Sequence, residues 1–208
     1  MHLLLIKKYK WTWLMLLLAL AMAGYLAANS LDFGKEKLPM IGQVQNFSLQ
    51  NVDGQTVTLA DTEGKARLVY FFFTQCPDVC PITTFTLSQT QDLLMKSGEF
   101  GKDVAFISIS FDPENDTPEA IKTFADRFHA NYDGWYFLRG EQEQIRKLAA
   151  DSFKVLIAGN KKDNFAHANL IGLVDRKNNL RALYNAGDTE NITPEYLADV
   201  VTQLAKEK

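Results

Sequence analysis

Hydrophobic and polar positions along this chain fall into blocks of different period. Residues 11–28 form an unbroken run without a charged side chain, preceded by Lys7, Lys8 and Lys10. Eighteen residues is just long enough for one helix to span a bilayer. Phe47, Leu49, Val57 and Leu59 alternate with polar neighbours around Asn51-Val52-Asp53-Gly54, the pattern of a β-hairpin closed by an Asp-Gly turn. Leu68-Val69-Tyr70-Phe71-Phe72-Phe73 does not alternate at all, which predicts a strand covered on both faces in a central parallel or mixed sheet. Residues 104–111 read as a second strand of this kind. Between them, Ile82, Phe85, Leu87, Leu93, Leu94 and Met95 predict a helix with Pro77 in its first turn, ended by residues 98–103.

The alternation continues to the C-terminus. Thr117 caps a helix that starts at Pro118 and runs to about His129. Residues 135–138 are a short strand, and 141–153 a helix with Ile145, Leu148 and Ala149 inward. Residues 151–165 read as a polar loop tipped by Lys161-Lys162-Asp163-Asn164. Residues 170–174 and 180–184 straddle Asp175-Arg176-Lys177-Asn178-Asn179 as a terminal hairpin. Thr193 caps a last helix with Pro194 in its first position and Tyr196, Leu197, Val200, Val201 and Leu204 as its inner face. The expected class is α/β with an added N-terminal β-hairpin.

Composition sharpens the picture. A chain of 208 residues that is 47% apolar buries one good-sized core. The net charge is −3, and three lysines lie in the first thirty residues, so the remainder is more acidic still and a poor candidate for nucleic-acid binding. Basic residues before the apolar run and a mixed Asp32, Lys35, Glu36 and Lys37 after it predict an N-terminus inside the cell and a domain outside. The expected division is a cytoplasmic N-terminus at 1–10, a transmembrane anchor at 11–28, a tether at 29–38 and the functional domain at 39–208. Ala21-Met22-Ala23 is an alternative signal-peptidase site, but the run is longer than a usual signal core. No cysteine follows it, so no lipid anchor is expected. Without an Arg-rich, Ser-rich transit segment, the expected location is a bacterial inner membrane with the domain on the periplasmic side, an oxidising compartment.

Both cysteines of the chain, Cys76 and Cys80, follow the apolar strand. At a helix start, unpaired N–H groups and partial positive charge favour the thiolate. A spacing of i, i+4 stacks the sulfurs on one helix face, close enough to clamp one ion or to close a disulfide, and spacing alone does not choose. Of the three histidines, His2 precedes the anchor, His129 closes a surface helix, and His167 lies directly before the strand at 170–174. Two soft sulfurs and one imidazole suit copper, in particular three-coordinate Cu(I), with Cu(II) accommodated by a fourth donor; structural zinc normally takes four protein ligands. One carboxylate, Asp78, lies between the cysteines. The acidic Asp112, Glu114, Asp116 and Glu119 read as a turn and capping element with a solvated face rather than a calcium site.

Cys76-Pro77-Asp78-Val79-Cys80-Pro81, the later Ser110-Phe111-Asp112-Pro113-Glu114-Asn115-Asp116-Thr117-Pro118-Glu119 and the isolated His167 resemble the Sco/SenC family of membrane-anchored copper proteins, over about residues 39–206. The resemblance implies a thioredoxin-like fold. It also implies delivery of copper to the binuclear copper site of a cytochrome c oxidase subunit, with thiol reduction there as a second role. Family members commonly carry a hydroxyl residue after the histidine, where this chain has Ala168. The other reading is a thiol-disulfide oxidoreductase or redox sensor, with Cys76 attacking and Cys80 resolving. Redox relatives generally set a cis-proline against their thiols, whereas this chain has no proline between Pro118 and Pro194, which favours metal. A binding protein rather than a turnover enzyme is therefore expected. It would depend on a thiol reductant or an upstream copper donor, since exported thiols must be kept reduced. The long loop at 151–165 is expected to close His167 on the cysteines when metal is present.

Overall fold

The structure, a computed structural model, describes residues 9–30, 37–159 and 166–207, without the side chains of 26–30 and 166–167. The chain forms two units, residues 1–38 and 39–208. In the first, helix α1 (Lys10–Ser30) covers the apolar run. Among the described residues no helix is long and apolar enough to cross a membrane. The described side chains of α1 stop at Tyr25, short of residues 26–28 that complete the run.

The second unit is built on β4 (Ala66–Phe72), all seven residues of which are buried. Such a strand belongs where layers cover both faces of a sheet. It runs parallel to β5 (Val104–Ser110), also buried throughout, and antiparallel to β9 (Leu170–Val174). Outside β5 lies β6 (Trp135–Arg139), and outside that the hairpin of β2 (Ser48–Asn51) and β3 (Thr56–Thr58), with Leu49 opposite Val57 as the alternation predicts. On the other side β10 (Asn179–Asn185) pairs with β9, and a two-residue strand β1 (Gly42–Gln43), not foreseen from sequence, closes that edge. The eight-stranded order is β1-β10-β9-β4-β5-β6-β2-β3. β4 therefore lies fourth of eight, with the site at its C-terminal end.

Alternating side chains of β4 serve two layers. Phe71 meets Phe153 of helix α4 (Gln142–Phe153), with ring centroids 5.4 Å apart. Phe72, on the other face, stacks on Phe124 of helix α3 (Pro118–Arg127) at 5.3 Å. Helix α2 (Val79–Ser97) and helix α5 (Pro194–Lys206) pack together and complete the second layer. Thr117 and Thr193 cap α3 and α5 by accepting from Ala120 and Tyr196 N–H.

Three expectations need correction. On α2, Ile82, Phe85 and Met95 are exposed; the buried face is Cys80, Thr83, Thr84, Leu87, Thr90, Gln91 and Leu94. Its polar members are satisfied internally: the hydroxyls of Thr84 and Thr90 donate to the carbonyls four residues back, and Gln91 bonds the backbone of His129 and Asn131. Tyr196 of α5 is exposed and edges Tyr184. The stretch expected as one polar loop buries Val155 and Ile157. It carries β7 (Ile157–Ala158), which pairs with β8 (Ala166–His167), and Ile157 stands opposite His167. Lys161 and Lys162 lie outside the described residues.

Candidate metal centre

The chain leaves β4 at Phe72 and reaches Cys76 through a turn in which Cys76 N–H donates to Phe73 carbonyl. Helix α2 begins at Val79 after Asp78, whose φ of −133° and ψ of −84° are not helical. The first turn thus holds Pro81 rather than Pro77, and Cys76 precedes the helix. The expected stacking of both sulfurs on one helix face is therefore corrected. Asp78 gives no side-chain cap, and the Cys76 sulfur takes that place, accepting the Cys80 N–H at 3.3 Å. A helix-start N–H, which has no partner within the helix, is thus directed at a soft sulfur.

Both cysteines are thiols and both are buried. The expectation that helix polarity favours two thiolates does not hold for Cys80. Its side-chain hydrogen bond with Cys76 and its burial push the Cys80 thiol well above the ordinary value, outweighing the phenol of Tyr70 and the backbone N–H of Phe73. The pair is asymmetric: Cys80 keeps its proton and Cys76 receives the helix N–H.

His167 reaches this end of the sheet by its strand. Two residues after it, Asn169 exchanges hydrogen bonds with Thr83 of α2, Thr83 Oγ1 to Asn169 Oδ1 at 3.3 Å and Asn169 Nδ2 to Thr83 Oγ1 at 3.2 Å. Asn169 carbonyl also accepts Ala186 N–H. Thr83 is about 4.5 Å along the helix axis from Cys80, and two extended residues span about 7 Å. The chain two residues past His167 is thus tied to the helix of Cys80; the side chain of His167 lies outside the described residues, as does His2, and His129 is exposed. Among the described residues no group of three His, Cys, Asp or Glu side chains stands ready for a metal. The donor set tested is therefore the thiol pair: two adjacent, buried, soft sulfurs, which fit a copper ion better than a hard cation.

Four supporting residues escaped the sequence reading. Asp116 is fully buried, not solvated. Its carboxylate accepts Thr74 N–H at 3.1 Å and the hydroxyls of Thr74 and Ser110, pinning the turn before Cys76. Burial raises its carboxyl above the ordinary value against those donors. Asp112, also buried, holds Asn115 Nδ2. The acidic segment is a buried brace, and the signal for it was the spacing of Ser110 and Asp116 around one turn. Thr83 and Asn169 are the second and third supports. Tyr70 is the fourth, the one polar residue in an otherwise apolar strand end.

The family model described as SCO1/SenC matches residues 38–205. The SCO1 protein homolog of Bacillus subtilis (strain 168) is 38% identical over 122 residues, which cover 58% of this chain and 62% of that protein. The chain thus spans less than two thirds of that relative's length. Among solved structures, BsSco, described as a member of the Sco family of cytochrome c oxidase assembly proteins with a disulfide switch, matches with a TM-score of 0.72 and 29% identity, over 83% of this chain and 100% of that one. Bradyrhizobium japonicum ScoI with copper bound matches with a TM-score of 0.64 and 30% identity, over 79% and 99%. The fold is that of these proteins, thioredoxin-like.

Proposed function

This chain belongs to the SCO1/SenC family, and on that premise we propose that it binds copper through Cys76, Cys80 and His167 and delivers it to the binuclear copper site of a cytochrome c oxidase subunit. The observation that carries this reading is the Thr83–Asn169 pair, which ties the strand of His167 to the helix of Cys80. Two thiolates and an imidazole form a soft, low-coordinate set that holds Cu(I) and releases it to a site with more donors. On loading, Cys80 gives up the proton it holds in the metal-free form, so uptake is opposed by acid. Copper bound in the B. japonicum relative supports the assignment.

The proposed layout is a cytoplasmic N-terminus at 1–10, an uncleaved anchor at 11–28 within α1, a tether at 29–38 and a copper-binding domain at 39–208. It places the domain on the periplasmic side of the inner membrane, with the oxidase subunit and a thiol reductant or copper donor as partners. A second role is favoured by the contact of the two sulfurs. Oxidation of Cys76 and Cys80 to a disulfide would pass two electrons to an oxidant, release two protons and remove both thiolate ligands. The redox state then gates copper loading. The disulfide switch described for BsSco supports this.

The test is anaerobic titration of the reduced full-length chain in detergent with Cu(I), beside Cys76→Ser, Cys80→Ser and His167→Ala. One copper per chain is expected for the parent and loss of tight binding in each variant. Stoichiometric copper in any of the three overturns the ligand set.

A further inference from the structure

Tyr70 extends from the C-terminal half of β4 toward α2 and is only 1% exposed. Its hydroxyl is within reach of the Cys80 sulfur and the Thr83 hydroxyl, yet among the described residues it makes no hydrogen bond of normal geometry. Leu68, Val69, Phe71 and Phe72 surround it in sequence and are all buried, so phenylalanine would fill this position without placing a hydroxyl where water cannot satisfy it. An unsatisfied buried hydroxyl costs free energy. Thr83 donates to Asn169 and accepts from it, and the lone pair it keeps stays neutral whatever the site holds. Of the two groups near the phenol, the sulfur is the one whose charge changes with metal. A thiol accepts weakly, but a cysteine that binds a metal does so as the thiolate, a charged acceptor.

Resting on the copper reading above, we propose that Tyr70 is a positioning residue of the metal centre, whose hydroxyl donates to the Cys80 sulfur when copper is bound and lacks that bond when the site holds thiols. The phenol would then favour the loaded state over the empty one and draw electron density from one of the two sulfurs. Its neighbour Thr83 lies in the contact that carries the strand of His167, so the two donors sit on one buried polar patch beneath the site.

The experiment compares the reduced full-length parent with Tyr70→Phe in detergent. Cu(I) affinity is measured by competition with a chromophoric chelator, the thiolate-to-Cu(II) charge-transfer band by absorption, and the metal-free melting temperature by circular dichroism. Loss of a hydrogen bond to a charged acceptor should weaken Cu(I) binding about ten- to a hundredfold. The band should move to longer wavelength, because the sulfur becomes a better donor, and the metal-free melting temperature should stay level or rise. Unchanged affinity and band position in Tyr70→Phe would overturn the inference while leaving the copper reading intact. A parent that binds no copper would overturn both. If Tyr70→Phe does not fold, a ring-fluorinated tyrosine at position 70, a stronger donor of the same shape, should move the band to shorter wavelength, and a stationary band would overturn the inference.

Discussion

Asp116 accepts the backbone N–H of Thr74 at 3.1 Å across 42 residues of chain, and the turn that presents Cys76 is thereby fixed from the far side of β5. The same carboxylate takes the hydroxyls of Thr74 and Ser110. Removing it leaves three donors without their acceptor, two on the half-buried Thr74 and one on the fully buried Ser110. Asp116→Ala should lower the unfolding free energy by about 2–4 kcal/mol, read as a lower urea midpoint with an unchanged slope. It should also weaken copper binding, since the Cys76 turn loosens. Stability within experimental error of the parent would show that the brace does not matter.

The contact between Thr83 and Asn169 should report on copper rather than on folding alone. Each of Thr83→Val and Asn169→Ala removes a hydrogen-bonded pair worth about 1 kcal/mol, so each should weaken Cu(I) binding about fivefold. Because both break the same contact, the double variant should be little worse than either single one. Competition titrations of the three variants check this, and additive losses would mean that the two residues act separately.

A pH dependence follows from Cys80. Its thiol is held well above the ordinary value of 9.0 by the Cys76 sulfur and by burial, so the folded state keeps a proton that the unfolded state releases. This stability is fully present below the unfolded value and is lost as pH rises above about 9, at up to about 1.4 kcal/mol per pH unit. Urea midpoints of the reduced, metal-free chain should fall between pH 9 and 10, with a smaller fall in Cys80→Ser. Identical slopes in the two would remove Cys80 as the cause.

One test concerns packing alone. A Cβ at Gly172 on β9 would meet the Phe153 ring at 2.7 Å, and Phe153 is itself wedged against Phe71. Gly172→Ala should cost about 1–3 kcal/mol, visible in thermal melts. A variant as stable as the parent would show that α4 shifts freely.

The sheet could be read from sequence because its evidence is local. From Leu68 to Phe72 the wholly buried β4 carries no charge and no alternation to suggest another element, and the hairpin of Leu49 and Val57 is marked by its alternation and its Asp-Gly turn. Cys76, Cys80 and His167 could be singled out because soft ligands are few in this chain. What the sequence hid depends on partners far along the chain. Thr83 and Gln91 of α2 look like solvent residues until Asn169 and the backbone of His129 and Asn131 are brought to them. Ile82 and Phe85 look like core until that polar face turns inward and leaves them 50% and 54% exposed. Asp112 and Asp116 read as solvated acids because the spacing of Ser110, Asn115 and Asp116 does not by itself show burial, and Thr74 comes to Asp116 from 42 residues away. Helix α2 starts two residues after Pro77: two prolines compete for its first turn, and the sulfur of Cys76 takes the capping place that Asp78 leaves.

Copper K-edge X-ray absorption of the Cu(I)-loaded, reduced chain tests the proposed centre of Cys76, Cys80 and His167 most directly. The expected first shell is two sulfur scatterers and one nitrogen, with the imidazole pattern lost in His167→Ala and one sulfur lost in Cys80→Ser. A shell of sulfur alone in the parent, or an imidazole contribution that survives in His167→Ala, would contradict it.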